Sequence, residues 1–160
     1  MAISASGVLF VADCKNHRIR AISTSGEVTT YAGLGTAGFT NGIPTAARFR
    51  FPSGIAIDAA GILYVADTMN HRIRRIALDG FVSTFAGLST SGTTNGNASV
   101  AKFNQPLGIA LDTAGNAYVT EVTSHAIRKI LPDGTTSLFA GSAATSGDSD
   151  GDAATARFTS

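Results

Sequence analysis

The apolar residues of this chain fall in short runs separated by polar, glycine-bearing turns. Gly54-Ile55-Ala56-Ile57-Asp58 is a short β-branched run that ends at the turn Ala59-Ala60-Gly61. Ile62-Leu63-Tyr64-Val65-Ala66 follows, apolar on both faces, as a strand held between two layers would be. Asp67-Thr68-Met69-Asn70 is turn chemistry. His71 to Ile76 alternates poorly, with Ile73 on one face and Ile76 on the other, and predicts a third strand with one side partly wet. Leu78-Asp79-Gly80 is a hairpin signal, and Val82 to Ala86 is a fourth strand. A polar segment over 87–107 then leads to the next Gly-Ile-Ala. Four short strands joined by turns predict an antiparallel meander, labelled a to d from residue 54.

This unit recurs. Gly7, Gly61 and Gly115 are 54 residues apart, and so are His17, His71 and His125. Asp13 and Asp67 keep the same spacing, with Glu121 as the third member. Arg48-Phe49 and Lys102-Phe103 keep it too, while Arg157-Phe158 arrives one residue late, which marks a single insertion. A fixed period of this length, made of four strands, predicts a β-propeller blade. The chain is therefore read as all-β, with blades at about 1–51, 52–105 and 106–160. Meander geometry puts the a–b and c–d turns at one end of each sheet. The b–c turns and the long d–a loops share the other end, and function favours such elaborated loops.

Pro52-Ser53-Gly54-Ile55-Ala56-Ile57-Asp58, followed by Leu63 to Arg74, resembles the NHL repeat. The Asn-His-Leu triplet of that family is here Asn16-His17-Arg18 and Asn70-His71-Arg72. The third copy departs, with Ser124-His125-Ala126 and with Glu121 for the aspartate. The resemblance implies a six-bladed propeller in which strand a lines the central channel and strand d lies outermost. It implies no common activity. The family holds protein-interaction scaffolds, RNA-binding domains, sensor domains and related lyases with a metal in the channel.

Three blades are fewer than a closed ring needs. They would leave two bare apolar blade faces, which soluble chains rarely expose. A second copy would continue the repeat almost in register after Ser160. A head-to-tail homodimer closing a six-bladed ring is therefore expected; a fragment of a longer six-repeat protein is the competing account, and such a half could still dimerise.

Composition narrows the function classes. Twelve Lys+Arg against eleven Asp+Glu give a net charge of +1, which disfavours a strongly basic nucleic-acid binder. Charged residues are 14% of the chain, against roughly 25% in ordinary domains, as blades buried on both faces require. One cysteine allows no intrachain disulfide. No run of about 18 apolar residues offers a membrane span, and the first ten residues do not read as a signal peptide.

The recurring polar residues are candidate chemistry. His17, His71 and His125 invite a three-histidine metal site, but equivalent positions on different blades do not converge. Each is expected to fix the b–c turn of its own blade. Asp13, Asp67 and Glu121 are expected to accept turn N–H groups or to pair with strand-c arginines such as Arg18, Arg72 and Arg74. Recurrence favours structure, because a catalytic group is needed once. Ser4, Asp58 and Asp112 end strand a at the tight-turn end and form no convergent acid set. Asp148, Asp150 and Asp152 begin like a calcium loop, but Thr159 stands where the bidentate acid belongs. Phe49, Phe103 and Phe158 are read as anchors for the long loops.

The expectation is a non-catalytic scaffold without a cofactor. A protein or small ligand would bind on the loop face, at Asn16, His17, Asn41, Asn70, His71, Asn95, Ser124 and His125. The alternatives are a metal-dependent lyase- or hydrolase-like enzyme with a channel site, and an RNA-binding domain.

Overall fold

A computed structural model describes residues 1–143 and 145–159. Three four-stranded antiparallel sheets follow one another along the chain. The first holds β1 (Ala2–Ile3), β2 (Leu9–Asp13), β3 (Arg18–Ile22) and β4 (Val28–Ala32). The second holds β5 (Pro52–Ile57), β6 (Leu63–Asp67), β7 (Arg72–Ile76) and β8 (Val82–Ala86). The third holds β9 (Pro106–Leu111), β10 (Ala117–Glu121), β11 (Ala126–Ile130) and β12 (Thr136–Gly141). Each sheet is a meander whose spatial order is its sequence order, the arrangement that short turns permit.

The sheets fan out from their a strands, since β5 lies against both β1 and β9. Gly54 makes that approach possible. A Cβ there would lie 2.5 Å from the Leu107 carbonyl oxygen of the next sheet and 3.0 Å from the Ile109 nitrogen. Ser53 and Thr68 add hydroxyl bonds to the carbonyls of Leu107 and Pro106, both at 2.7 Å.

One apolar layer lies between each pair of sheets. Phe10, Ile19, Phe49, Leu63, Val65 and Ile76 belong to the first layer. Ile73, Phe103, Val119 and Ile130 belong to the second. The aliphatic run of β6 is buried from both sides because the middle sheet has a sheet on each.

Strand c of the second sheet puts Ile76 in the first apolar layer and Ile73 in the second, so its apolar residues fall on both faces. The pairing of strand c with strand d slips at Ile19/Arg20, at Ile73/Arg74 and at Ile127/Arg128, the same place in each sheet. The extra residue on strand d is Tyr31, Phe85 or Phe139. Each of these rings meets a strand-b ring edge-on, Phe10, Tyr64 and Tyr118 respectively, at 4.9 Å between centroids. The residue of strand c just after the slip is an arginine in each sheet.

The long loops do not stay with their own sheet. Gly42, in the loop after the first sheet, exchanges two backbone hydrogen bonds with Val82 of β8, at 2.9 and 2.8 Å. Gly96, in the loop after the second sheet, does the same with Thr136 of β12, at 3.0 and 2.7 Å. Each loop thus covers the sheet that follows it.

Candidate functional site

The acid ending strand b and the bulge arginine of strand c form the polar centre of each sheet. Asp67 Oδ2 accepts from Arg74 Nη1 at 2.8 Å, with both side chains fully buried. The same carboxylate accepts from Asn70 Nδ2 at 2.8 Å and from the Arg50 backbone N–H at 2.7 Å. Asn70 also donates to the Gly38 carbonyl at 2.8 Å. Arg74 gathers the preceding loop by donating to the carbonyls of Arg48 and Thr40, both at 3.0 Å, and to Asn41 Oδ1 at 2.7 Å. Its guanidinium also lies over the Phe39 and Phe49 rings. Burial pushes the Asp67 carboxyl above the usual carboxylate range, and the Arg74 charge opposes that push. Burial likewise pulls Arg74 down, resisted by Asp67.

The third sheet reaches the same network with other residues. Arg128 donates to the carbonyls of Lys102 and Thr94, at 3.0 and 3.1 Å, and to Asn95 Oδ1 at 2.7 Å. Its acid is Glu121, 3.3 Å away, which accepts from Asn104 N–H at 2.6 Å and from Ser124 Oγ at 2.8 Å. Glutamate is one methylene longer than aspartate, and serine is shorter than asparagine. The two departures compensate each other. In the first sheet Asn16 Nδ2 donates to Asp13 at 2.9 Å, but Arg20 stands 3.8 Å from that acid and no long loop covers the pair.

The acids therefore pair with Arg20, Arg74 and Arg128. The neighbouring Arg18 and Arg72 reach backbone instead, at the Leu34 and Gly87 carbonyls, and Arg72 also lies 3.6 Å from the Phe39 ring centroid. Asp67 and Arg72 are opposite in register, yet the salt bridge runs along the diagonal to Arg74, two residues on and on the same face of the sheet.

His17 and His71 close the short 3-10 turns after strand b in the left-handed conformation. Their Nδ1 atoms accept from the backbone N–H of Phe51 and Gln105, at 3.2 and 3.3 Å. These acceptors tie each b–c turn to the last residue of its own blade, just before the next sheet begins at Pro52 or Pro106. Burial, then the charges of Arg50 and Arg72, lower the His71 pKa below its ordinary value. His125 holds the corresponding backbone conformation in the third sheet. The three rings lie on separate sheets.

Asp58 Oδ1 accepts from Ala60 and Ile62 N–H, and Asp112 Oδ1 from Ala114 and Asn116 N–H, so both shape a–b turns. Asp152 accepts from the N–H of Ala154 and Thr155, which makes it the cap of a short turn. Among the described residues, no group of three or more His, Cys, Asp or Glu gathers as metal ligands would. Phe49 and Phe103 are buried, and Phe158 is half-exposed. On the loop face near the a strands, Cys14, Phe51, Met69 and Leu107 surround an apolar hollow of about 320 Å³.

With the Asn-His-Arg turn, the buried acid and the four-strand meander in place, comparison with known proteins decides the family. The NHL-repeat model matches residues 49–76. The human NHL repeat-containing protein 2 is 34% identical over 133 residues, which is 82% of this chain and 18% of that protein. The chain belongs to the NHL-repeat family. A Bacteroides thetaiotaomicron structural-genomics protein of unknown function superposes with a TM-score of 0.73 at 28% identity, covering 77% of this chain and 32% of that one. An auxiliary nutrient binding protein of the same organism superposes with a TM-score of 0.71 at 21% identity, covering 97% of this chain and 39% of that one. Both carry the same arrangement of sheets, so the three sheets here are propeller-like blades. The chain spans less than a fifth of the human relative's length.

Proposed function

We propose that this NHL chain is a non-catalytic scaffold whose three blades join those of a second copy, head to tail, in a six-bladed ring. The long loops and b–c turns would then form one continuous face for a protein or small-ligand partner. One observation carries this reading. The recurring polar side chains of the repeat are engaged in fastening loop to sheet. Asp67 and Glu121 hold arginines, Asn41 and Asn95 accept from them, and His17 and His71 hold the entry to the next blade. Polar groups held this way inside a fold act on stability and shape, and function then lies in the loops they present.

Light scattering on the purified chain tests the ring. A mass near twice 16.3 kDa is expected, and a mass near 16.3 kDa at high protein concentration would sink it.

A further inference from the structure

The second and third sheets each carry a loop supplied by the repeat before them, and among the described residues no loop pairs with the first sheet in this way. Over its Asp13–Arg20 pair lies a hollow of about 630 Å³, with Val11, Ile22 and Val28 among its walls. Val28 is 52% exposed, whereas its counterparts Val82 and Thr136 are 0% and 2% exposed beneath their loops. At the other end, residues 145–159 fold as the earlier loops do. Gly147 N–H donates to Phe158 O at 3.1 Å and Arg157 N–H to Ser149 O at 2.9 Å. Gly38 to Phe49 and Arg48 to Thr40 are the same bonds in the first loop, both at 3.1 Å. These equivalences set Ser149, Asp150 and Gly151 at the places of Thr40, Asn41 and Gly42. Phe158 is 38% exposed, where Phe49 and Phe103 are 0% exposed.

Charge separates this loop from the two that are docked. At three alternate positions the first loop has Phe39, Asn41 and Ile43, and the second has Thr93, Asn95 and Asn97. The third has Asp148, Asp150 and Asp152. The sheets vary in the complementary sense. Lys15, Arg18 and Arg20 of the first sheet become Met69, Arg72 and Arg74 in the second, and Thr123, Ala126 and Arg128 in the third.

We infer that the hollow over Asp13 and Arg20 is a socket for the acidic loop 148–158 of a second copy of this chain. The inference rests on the ring-closing reading and names its junction. Arg20 takes Ser149 O, the Asp150 carboxylate and Arg157 O, as Arg74 takes Thr40 O, Asn41 Oδ1 and Arg48 O. Gly151 exchanges backbone bonds with Val28, as Gly42 does with Val82. Asp148 comes to face Arg18, at the place where Phe39 lies over Arg72. Opposite charge steers this loop to this socket and repels a copy that presents like charge.

The test is a pair of charge reversals in the full chain, Arg20→Glu and Asp150→Lys, followed by light scattering. Each variant alone sets like charges against each other at both junctions of its ring and is expected to be monomeric. In an equimolar mixture both junctions regain opposite charges, so a dimer of one copy of each variant is expected. That rescue also shows that both chains are folded. Variants that stay dimeric alone overturn the socket while leaving the ring standing, and so does a mixture that stays monomeric. A wild-type chain that is itself monomeric overturns both. Asp150→Asn, which copies Asn41 and Asn95, keeps the dimer. Raising salt from about 0.05 to 0.5 M should weaken the wild-type dimer about tenfold and the Asn variant much less. Equal salt responses would overturn the charge pairing.

Discussion

The first and second sheets carry nearly the same residues, yet only one of them holds its arginine out of water. Arg74 is fully enclosed, bonded to an acid, two carbonyls and an asparagine side chain. Arg20 has the same acid and the same bulge behind it, but its side chain is 30% exposed and its salt bridge is 1 Å longer, 3.8 against 2.8 Å. Neither strand nor motif makes this difference. The loop of another repeat does. A buried ion pair is stable only when the remaining polar atoms around it are satisfied. In this fold a neighbour supplies partners for both Nη atoms of Arg74, while its buried Nε has no hydrogen-bond partner among the described residues.

The largest break in that comparison comes from removing the acid. Asp67→Ala strands the Arg74 charge in the core and should cost about 3–5 kcal/mol. Asp13→Ala, measured in protein dilute enough to be monomeric, should cost no more than about 1 kcal/mol. Urea unfolding followed by circular dichroism reads both, and equal losses would mean that the loop over Arg74 adds nothing. Next come the ring anchors. Phe103→Ala empties a filled site and should cost about 3–5 kcal/mol. Phe158→Ala in the same dilute protein should stay within about 1 kcal/mol. A smaller effect is due at the loop's own acceptor. Asn41→Ala and Asn95→Ala each remove one partner of a buried guanidinium and should lose about 1–3 kcal/mol.

The smallest effect is a pH response. His71 must stay neutral at Nδ1 to accept the Gln105 N–H, and burial lowers its pKa in the fold. A pKa lower folded than unfolded gives stability that is present above the unfolded value, about 6.5. That stability fades as pH falls through the folded value. The unfolding midpoint should therefore drop between about pH 7 and 5, and His71→Gln should flatten part of the drop. An unchanged slope would remove His71 from the clamp.

Much of this was legible in the residues. The spacing of 54 marked the repeats, the runs around Gly54, Leu63 and Val82 marked strands, and Leu78-Asp79-Gly80 marked a turn. The poor alternation of His71 to Ile76 was the visible trace of a sheet buried on both faces, with Ile76 in one apolar layer and Ile73 in the other. Three things were not legible. Periodicity shows which residues share a face, but not which sheet a loop of this length will cover. The partner of each acid was ambiguous between Arg72 and Arg74, because both lie on the acid's face of the sheet and only their contacts with the loops tell them apart. Glu121 and Ser124 looked like two separate losses, and only the geometry reveals that one change in length offsets the other.

The interleaving of loop and sheet also bears on how such chains can be divided or recombined. The strands that define a blade and the loop that completes it are offset by about half a repeat. A module cut at the strand boundaries takes along a loop that stabilises something left behind. It also leaves behind the loop it needs. Moving the second blade into another array would mean carrying residues 33–51 with it, not 87–105. The natural unit of exchange in this fold begins at a glycine after strand d and ends with the next strand d.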